Sequence, residues 1–358
     1  MKYLKLFSSV KIVKGYNRTL MFDSRRDFIR FVPNSLFDLL SSNLGINIEK
    51  MLQEISLDNK KILEEYLDFL INNKLGFYCN SLKEFQNFEY DNREFASPND
   101  INYLIIDLEN DFNLSSIICK QIIDCKIKYL QIRFCTDISV TVLENVLKKC
   151  ELLNDSFIEE ISFVISFSDE LYSYLIKKNL SIQKYINVIF HSCDNNISDL
   201  QNNVNNLSFD FIVEKLIMPI SCGIVKKCNF VFNEEFYLES QNNNTCLNKK
   251  IAIDSRGNIK NCPSMKKKFG NIASSNFKDI IRNPDFIFFW NLNKDQVSIC
   301  KDCEFRHVCM DCRAYLEEPE DHYSKPLKCG YDPYQNTWED WSMNPLKKRA
   351  IEFYGTKL

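Results

Sequence analysis

Histidine is scarce in this chain: His191, His307 and His322 are the only three in 358 residues. That speaks against histidine-rich zinc sites and against most histidine-based acid–base catalysis. Neither a P-loop nor a GxGxxG occurs, so the usual glycine-rich phosphate cradles are missing. No apolar run approaches the roughly 18 residues of a membrane helix. The first stretch, MKYLKLFSSVKIVKGYNR, lacks the apolar core of a secretory signal. Net charge is only −3, with both signs interspersed, so no basic field invites nucleic acid. The acidic pairs Glu64–Glu65, Glu234–Glu235 and Glu317–Glu318 read as solvated faces rather than acid–base dyads. The expectation is a soluble cytoplasmic protein that binds neither nucleic acid nor membrane, with no catalytic residue assigned.

What the chain has in quantity is cysteine, fifteen in all. In a reducing cytosol these are not a disulfide framework. Cys119, Cys125, Cys135, Cys150 and Cys193 sit in or beside apolar segments and read as small core hydrophobes. The rest of the chemistry depends on where the other thiols fall.

Three zones follow one another. In residues 1–80, β-type runs at 10–15, 18–23 and 27–33 give way to helical patterns, the clearest at 59–75 with Asp58 as its expected N-cap. Three strands and three helices in this order suggest a winged-helix module, whose exposed strand edge would be a template for an added peptide strand. Residues 100–225 alternate. Strands are expected at 101–109, 127–135, 160–167 and 185–193, and helices at 115–125, 138–150 and 169–179. That rhythm argues for parallel βαβ units, too few for an eight-fold barrel, hence an open or partial one. The Asn-rich patches at 194–206 and 240–244 read as loops. Residues 226–358 form a third, cysteine-rich zone in which a ligand network substitutes for a large core.

Nine cysteines lie between Cys222 and Cys329. Cys246 and Cys262 flank KIAIDSRGNIKN, a strand–turn–strand with Gly257 in the turn, so a hairpin can bring the two thiols together. Cys300–Cys303 and Cys309–Cys312 are two CxxC pairs, each able to aim two thiolates at one site from a tight turn. Spacing alone suits zinc and iron–sulfur ligation equally, and the count allows one cluster with spares or two four-thiol sites. His307, among the thiols, reads as a surface residue or one that supports a ligand.

The run Cys246-x10-Gly257-x4-Cys262, Cys300-x2-Cys303-x5-Cys309-x2-Cys312, then Cys329 resembles the SPASM domain. Its family spacing is C-x9–15-G-x4-C, C-x2-C-x5-C-x3-C and a last C; the gap before Cys312 departs from it by one residue. The resemblance implies two auxiliary 4Fe–4S clusters. One would be held by Cys246, Cys262, Cys312 and an upstream cysteine, Cys228 first and Cys222 second. The other would be held by Cys300, Cys303, Cys309 and Cys329. Residues 1–80 resemble the RiPP recognition element, a winged helix that captures a leader peptide. The whole is similar to the SPASM protein of grasp-with-spasm peptide-maturation systems, whose partners are a precursor peptide and an ATP-grasp ligase. The C-x3-C-x2-C triplet of radical SAM enzymes is missing, and NDFNLSS follows the first barrel strand instead. The implied protein is an α/β chain with a winged-helix module, a degenerate radical-SAM-like partial barrel and a C-terminal SPASM domain. It would mature ribosomal peptides without cleaving S-adenosylmethionine. The alternatives are a redox-active peptide-modifying iron–sulfur enzyme and a zinc-stapled peptide-binding protein.

Overall fold

The computed structural model describes residues 2–41, 47–88, 93–109, 116–194 and 203–356. The N-terminal region begins with β1 (Tyr3–Leu6), β2 (Val10–Lys14), β3 (Thr19–Asp23) and β4 (Phe28–Val32). Helices α1 (Asn34–Leu40), α2 (Ile48–Glu54) and α3 (Leu57–Asn72) follow, then β5 (Gly76–Cys79) and α4 (Leu82–Asn87). Strands β2, β3 and β4 form an antiparallel meander, while β1 pairs with β5 in a separate ribbon. The three sequence-expected strands and the long helix are present. Ser56, not Asp58, caps α3, its side chain accepting from the Asn59 N–H. The β1–β5 ribbon escaped the sequence reading because its two short strands lie some 70 residues apart. Gly76 is needed there, since a Cβ would meet the Lys5 carbonyl oxygen at 2.5 Å.

The middle of the chain supplies β6 (Tyr103–Leu108), α5 (Ser116–Asp124), β7 (Tyr129–Phe134), α6 (Val140–Cys150), β8 (Glu160–Ser166), α7 (Asp169–Lys177), β9 (Tyr185–His191), β10 (Asn203–Val204) and β11 (Leu207–Phe211). Every strand read from the alternating pattern is in place, and β11 adds a further parallel neighbour to β9. The Asn-rich patch at 194–206 lies largely outside the described residues; its end forms β10.

The C-terminal region continues with α8 (Glu234–Asn242), β12 (Lys250–Ile253), β13 (Asn258–Lys260), β14 (Gly270–Asn271), α9 (Phe277–Ile280), α10 (Pro284–Asn291), β15 (Tyr331–Asp332), β16 (Thr337–Trp338) and α11 (Lys348–Tyr354). Residues 240–242, expected in a loop, complete α8, which Asn233 caps. The hairpin β12–β13 does not stand alone. β12 runs parallel to β6, so one nine-stranded sheet, β10-β11-β9-β8-β7-β6-β12-β13-β14, ties the middle to the cysteine-rich region. The molecule is thus a mixed α/β fold, as the sequence implied.

The sheet has unlike faces. Leu104, Ile106, Leu130, Ile132, Ile161, Phe163, Ile186 and Val188 pack against α5, α6 and α7 in the main core. Their alternates, Asp107, Gln131, Arg133, Ser162, Asn187 and His191, put polar groups on the opposite face. A parallel sheet covered by helices on both sides would be apolar on both; this one keeps a polar face. Cys119, Cys125, Cys150 and Cys193 are buried in the apolar core. Among the described residues no helix is long and apolar enough to cross a membrane.

Candidate metal centres

The thiols of the C-terminal region fall into two groups. In the first, the hairpin brings Cys246, at the entry of β12, beside Cys262, just past β13. The turn depends on Gly257, which adopts φ +77°. Cys312 arrives from the second CxxC, and Cys222 from the segment that precedes α8. Burial pushes the Cys262 thiol up to about 11, and the neighbouring Cys222 and Cys246 add to the effect. Cys312 is pushed up to about 12 by burial and then by Cys246, Cys222 and Cys262. The four thiols therefore lie near enough to feel one another's charge. Cys222 and Cys228 are both exposed, but the Sγ of Cys228, the first candidate for the fourth place, turns to the Asn229 side chain at 3.5 Å. The structure brings Cys222 to the group instead.

What positions Cys222 is a strap over the group. Pro219, which follows a cis peptide bond, accepts hydrogen bonds at its carbonyl oxygen from Ser264 Oγ and Tyr315 Oη, each at 3.2 Å. The buried Lys328 ammonium donates to the Cys222 carbonyl oxygen at 2.9 Å and to that of Ile220. Gly223 has φ +84°, and a Cβ there would stand 2.7 Å from Cys312 Sγ. Only glycine allows the backbone to lie so close to that sulfur.

The second group is Cys300, Cys303, Cys309 and Cys329. Burial raises the Cys300 thiol to about 12, opposed by Lys294 and reinforced by Cys329. Cys303 is raised by burial and then by Cys300, while Cys309 is raised by burial with Cys329 adding. Cys329 is brought in by a parallel bridge to Val225. The turn that carries Cys300 begins at Ile299, with φ +67°, an unfavourable conformation for a β-branched residue that the surrounding packing must sustain.

Asp311 explains how one CxxC reaches both groups. Its carboxylate, fully buried, takes the Arg313 guanidinium at 2.7 Å and the Asn244 amide at 2.8 Å, two residues before Cys246, with the Lys294 ammonium 3.9 Å away. The chain therefore pivots on Asp311, leaving Cys309 in one group and sending Cys312 to the other.

Each group also has a buried ammonium. Lys250 donates to Cys246 Sγ at 3.5 Å, and Lys294 to Cys309 Sγ at 3.3 Å. Burial works to lower both pKa values. For Lys250 the thiols of Cys246, Cys262 and Cys222 outweigh it and raise the value; for Lys294 Cys309, Asp311 and Cys300 do the same. Phe305 N–H donates to Cys303 Sγ at 3.4 Å. Arg133 pairs with Asp107 through two bonds of 2.6 and 2.9 Å on the polar sheet face, and its positive charge feels Cys262 and Cys222. Two rings of thiols with buried cations donating to them suit an anionic thiolate-bound cofactor. Nothing in the spacing of Lys250, Lys294, Arg133 or Asp107 marks them in the sequence.

His307 is not on the surface. It is buried, shares a 3.1 Å hydrogen bond between Nδ1 and Ser240 Oγ, and burial followed by the charge of Arg306 depresses its pKa to about 4. Glu235 and Glu318 are exposed, whereas Glu234 and Glu317 are half-buried and ion-paired. Glu234 takes Lys11, Arg25 and Arg93, and Glu317 takes Lys325 and Lys347.

The second group is roofed by the N-terminal sheet. Val13, Leu20 and Phe22 share a core with Phe305, Val308, Cys309 and Tyr331, and Cys303 and Cys329 pack against it. The hairpin between β2 and β3 clasps the turn after Cys303. Arg18 Nε donates to Glu304 at 2.7 Å, the Tyr331 hydroxyl donates to the same oxygen at 2.6 Å, and Tyr16 N–H donates to the Asp302 carbonyl oxygen. A Cβ on Gly15 would come within 2.8 Å of Glu304.

Residues 245–304 match SPASM, an iron–sulfur cluster-binding domain. The C-terminal region therefore carries a SPASM iron–sulfur domain. The match contains Cys246, Cys262, Cys300 and Cys303. Two crystal structures of SuiB from Streptococcus suis, the second bound to S-adenosylmethionine, align over 90% of this chain and 98% of theirs. Their identities are 12% and 10%, and their TM-scores 0.32 and 0.27, a likeness too slight to bear on chemistry. No curated protein matches the sequence.

Proposed function

We propose that this chain is a maturation protein for ribosomally made peptides. It receives a precursor through residues 1–80, carries two 4Fe–4S clusters in residues 226–358 and the strap before them, and works in the cytoplasm beside an ATP-grasp ligase. Residues 100–225 serve as a degenerate barrel between the two. The observation that carries the reading is the sorting of eight thiols into two groups of four within and around a SPASM domain.

Cys222, Cys246, Cys262 and Cys312 would hold one cluster, and Cys300, Cys303, Cys309 and Cys329 the other. The donors are all thiols, and buried cations stand ready to offset the charge of the thiols that a bound cation would deprotonate. An all-thiol donor set suits both zinc and iron; the SPASM match favours iron. Bound there, the clusters would supply electron transfer and a rigid staple.

Cys119, on α5, and Cys125, just past its end, lie in the apolar core, with burial raising Cys119 and lifting Cys125 to about 11. They stand where hydrophobes stand, not at an open site. Incubating the reconstituted protein with S-adenosylmethionine and dithionite is expected to release no 5′-deoxyadenosine above a protein-free control. Release at several times that background would make the chain a radical enzyme and overturn the accessory reading.

A further inference from the structure

Both thiol groups lie among cations, but those cations are compensated differently. At the first group the Lys250 ammonium donates to Cys246 Sγ at 3.5 Å, and Cys262 and Cys222 add their charge to that of Cys246 upon it. The Lys328 ammonium donates to the Cys222 carbonyl oxygen at 2.9 Å and lies over the Tyr315 ring, 4.1 Å from its centroid. Among the described residues no carboxylate pairs with either ammonium. Glu239 feels the Lys250 charge but takes its hydrogen bond from Asn248. The third cation, Arg133, is neutralised by Asp107 through two bonds.

At the second group the buried cations have carboxylates. Lys294 donates to Cys309 Sγ at 3.3 Å but stands 3.9 Å from Asp311, which also takes Arg313 at 2.7 Å. Lys347, on the Cys329 carbonyl oxygen at 2.6 Å, pairs with Glu317 at 2.8 Å. Glu304, next to Cys303, takes Arg18. Exposure differs in the same sense. Cys222 is exposed, whereas no thiol of the second group is more than half-buried beneath the N-terminal sheet.

One electron added to a thiolate-bound cluster adds one negative charge, with no bond made or broken. A positive charge without a carboxylate, N–H donation to sulfur and contact with water all favour that reduced state. A cation already paired with a carboxylate favours it less. We propose that Lys250 gives the first cluster, on Cys222, Cys246, Cys262 and Cys312, the higher reduction potential of the two, so that a one-electron donor reduces it before the second. Lys250 is a positioning residue here, acting through the sulfur of Cys246. This rests on the two-cluster reading proposed above and assigns the two clusters unequal potentials.

The test is a potentiometric titration of the reconstituted full chain with dithionite, read by electron paramagnetic resonance. It compares the wild type with Lys250→Met, Lys250→Arg and Lys294→Met. Cys222→Ser removes a ligand of the first cluster and so identifies that cluster's signal. In the wild type this signal is expected at the higher potential. Lys250→Met is expected to make that cluster about tenfold harder to reduce, a fall of about 59 mV for a one-electron couple, and to leave the other signal in place. Lys250→Arg keeps the charge and is expected to shift it by less than half as much. Lys294→Met is expected to move the second signal by less than Lys250→Met moves the first, because Asp311 already shares the Lys294 charge. The order of the wild-type midpoints tests the proposal even if Lys250→Met fails to load iron. Two clusters whose midpoints ignore Lys250→Met, or a first cluster reduced second, would overturn the inference and keep the two-cluster reading. A chain that loads zinc, or one cluster only, would overturn both.

Discussion

At the residue scale, one carboxyl of the C-terminal region titrates in an accessible range. Glu239, on α8, is pushed up to about 7 by burial, and Glu235 adds to the effect, against an opposing hydrogen bond from Asn248. The unfolded carboxyl titrates near 4.3. Between those values the folded state holds the extra proton, so this group lowers stability as pH rises through the window, and the loss is complete above about 7. Glu239→Gln keeps the acceptor for Asn248 and removes the titration. Its melting temperature is expected to exceed that of the wild type by a few degrees at pH 8 and to match it at pH 4. Equal differences at the two pH values would contradict the assignment. Gly223 and Ile299 are the other decisive single residues, since both hold left-handed backbone next to a thiol.

At the scale of elements, the telling contact is the β2–β3 hairpin on the turn after Cys303. Glu304 is fully buried, and its compensation comes from Arg18 and Tyr331. Arg18→Met leaves the carboxylate with the hydroxyl alone and is expected to cost about 1–3 kcal/mol in urea unfolding. A change below a few tenths of a kcal/mol would mean that the clasp is ornamental. Elements were also where the sequence was most legible. Alternation and flanking turn residues announced β2 to β4 and β6 to β9, because each strand carries its own pattern. β1, β5 and β11 were not announced: β1 and β5 have only four residues each to show a period, and β11 directly follows the Asn-rich patch that reads as loop. That β12 joins β6 was hidden as well, since register between segments some 150 residues apart is decided by packing.

At the scale of the molecule, the cysteines announced a centre but not its surroundings. CxxC spacing and the Gly257 turn are local and legible. The strap that brings Cys222 rather than Cys228 is not, because it depends on Lys328, Tyr315 and Ser264 gripping carbonyl groups from far along the chain. The joined sheet and the shared core have a consequence for the whole. The N-terminal module cannot be removed without uncovering Cys303, Cys309 and Cys329, because Val13, Leu20 and Phe22 roof them. Point variants are therefore better probes of that module than deletion.

The central claim is that two separate groups of four thiols each hold one four-iron cluster. The direct measurement is iron per chain after anaerobic reconstitution of the wild type, Cys222→Ser and Cys228→Ser. The expected values are about eight, about four to seven and about eight, with the Cys222→Ser shortfall confined to one of two electron paramagnetic resonance signals, as cluster stoichiometry requires. Zinc in place of iron, or iron lost from Cys228→Ser and kept in Cys222→Ser, would contradict it.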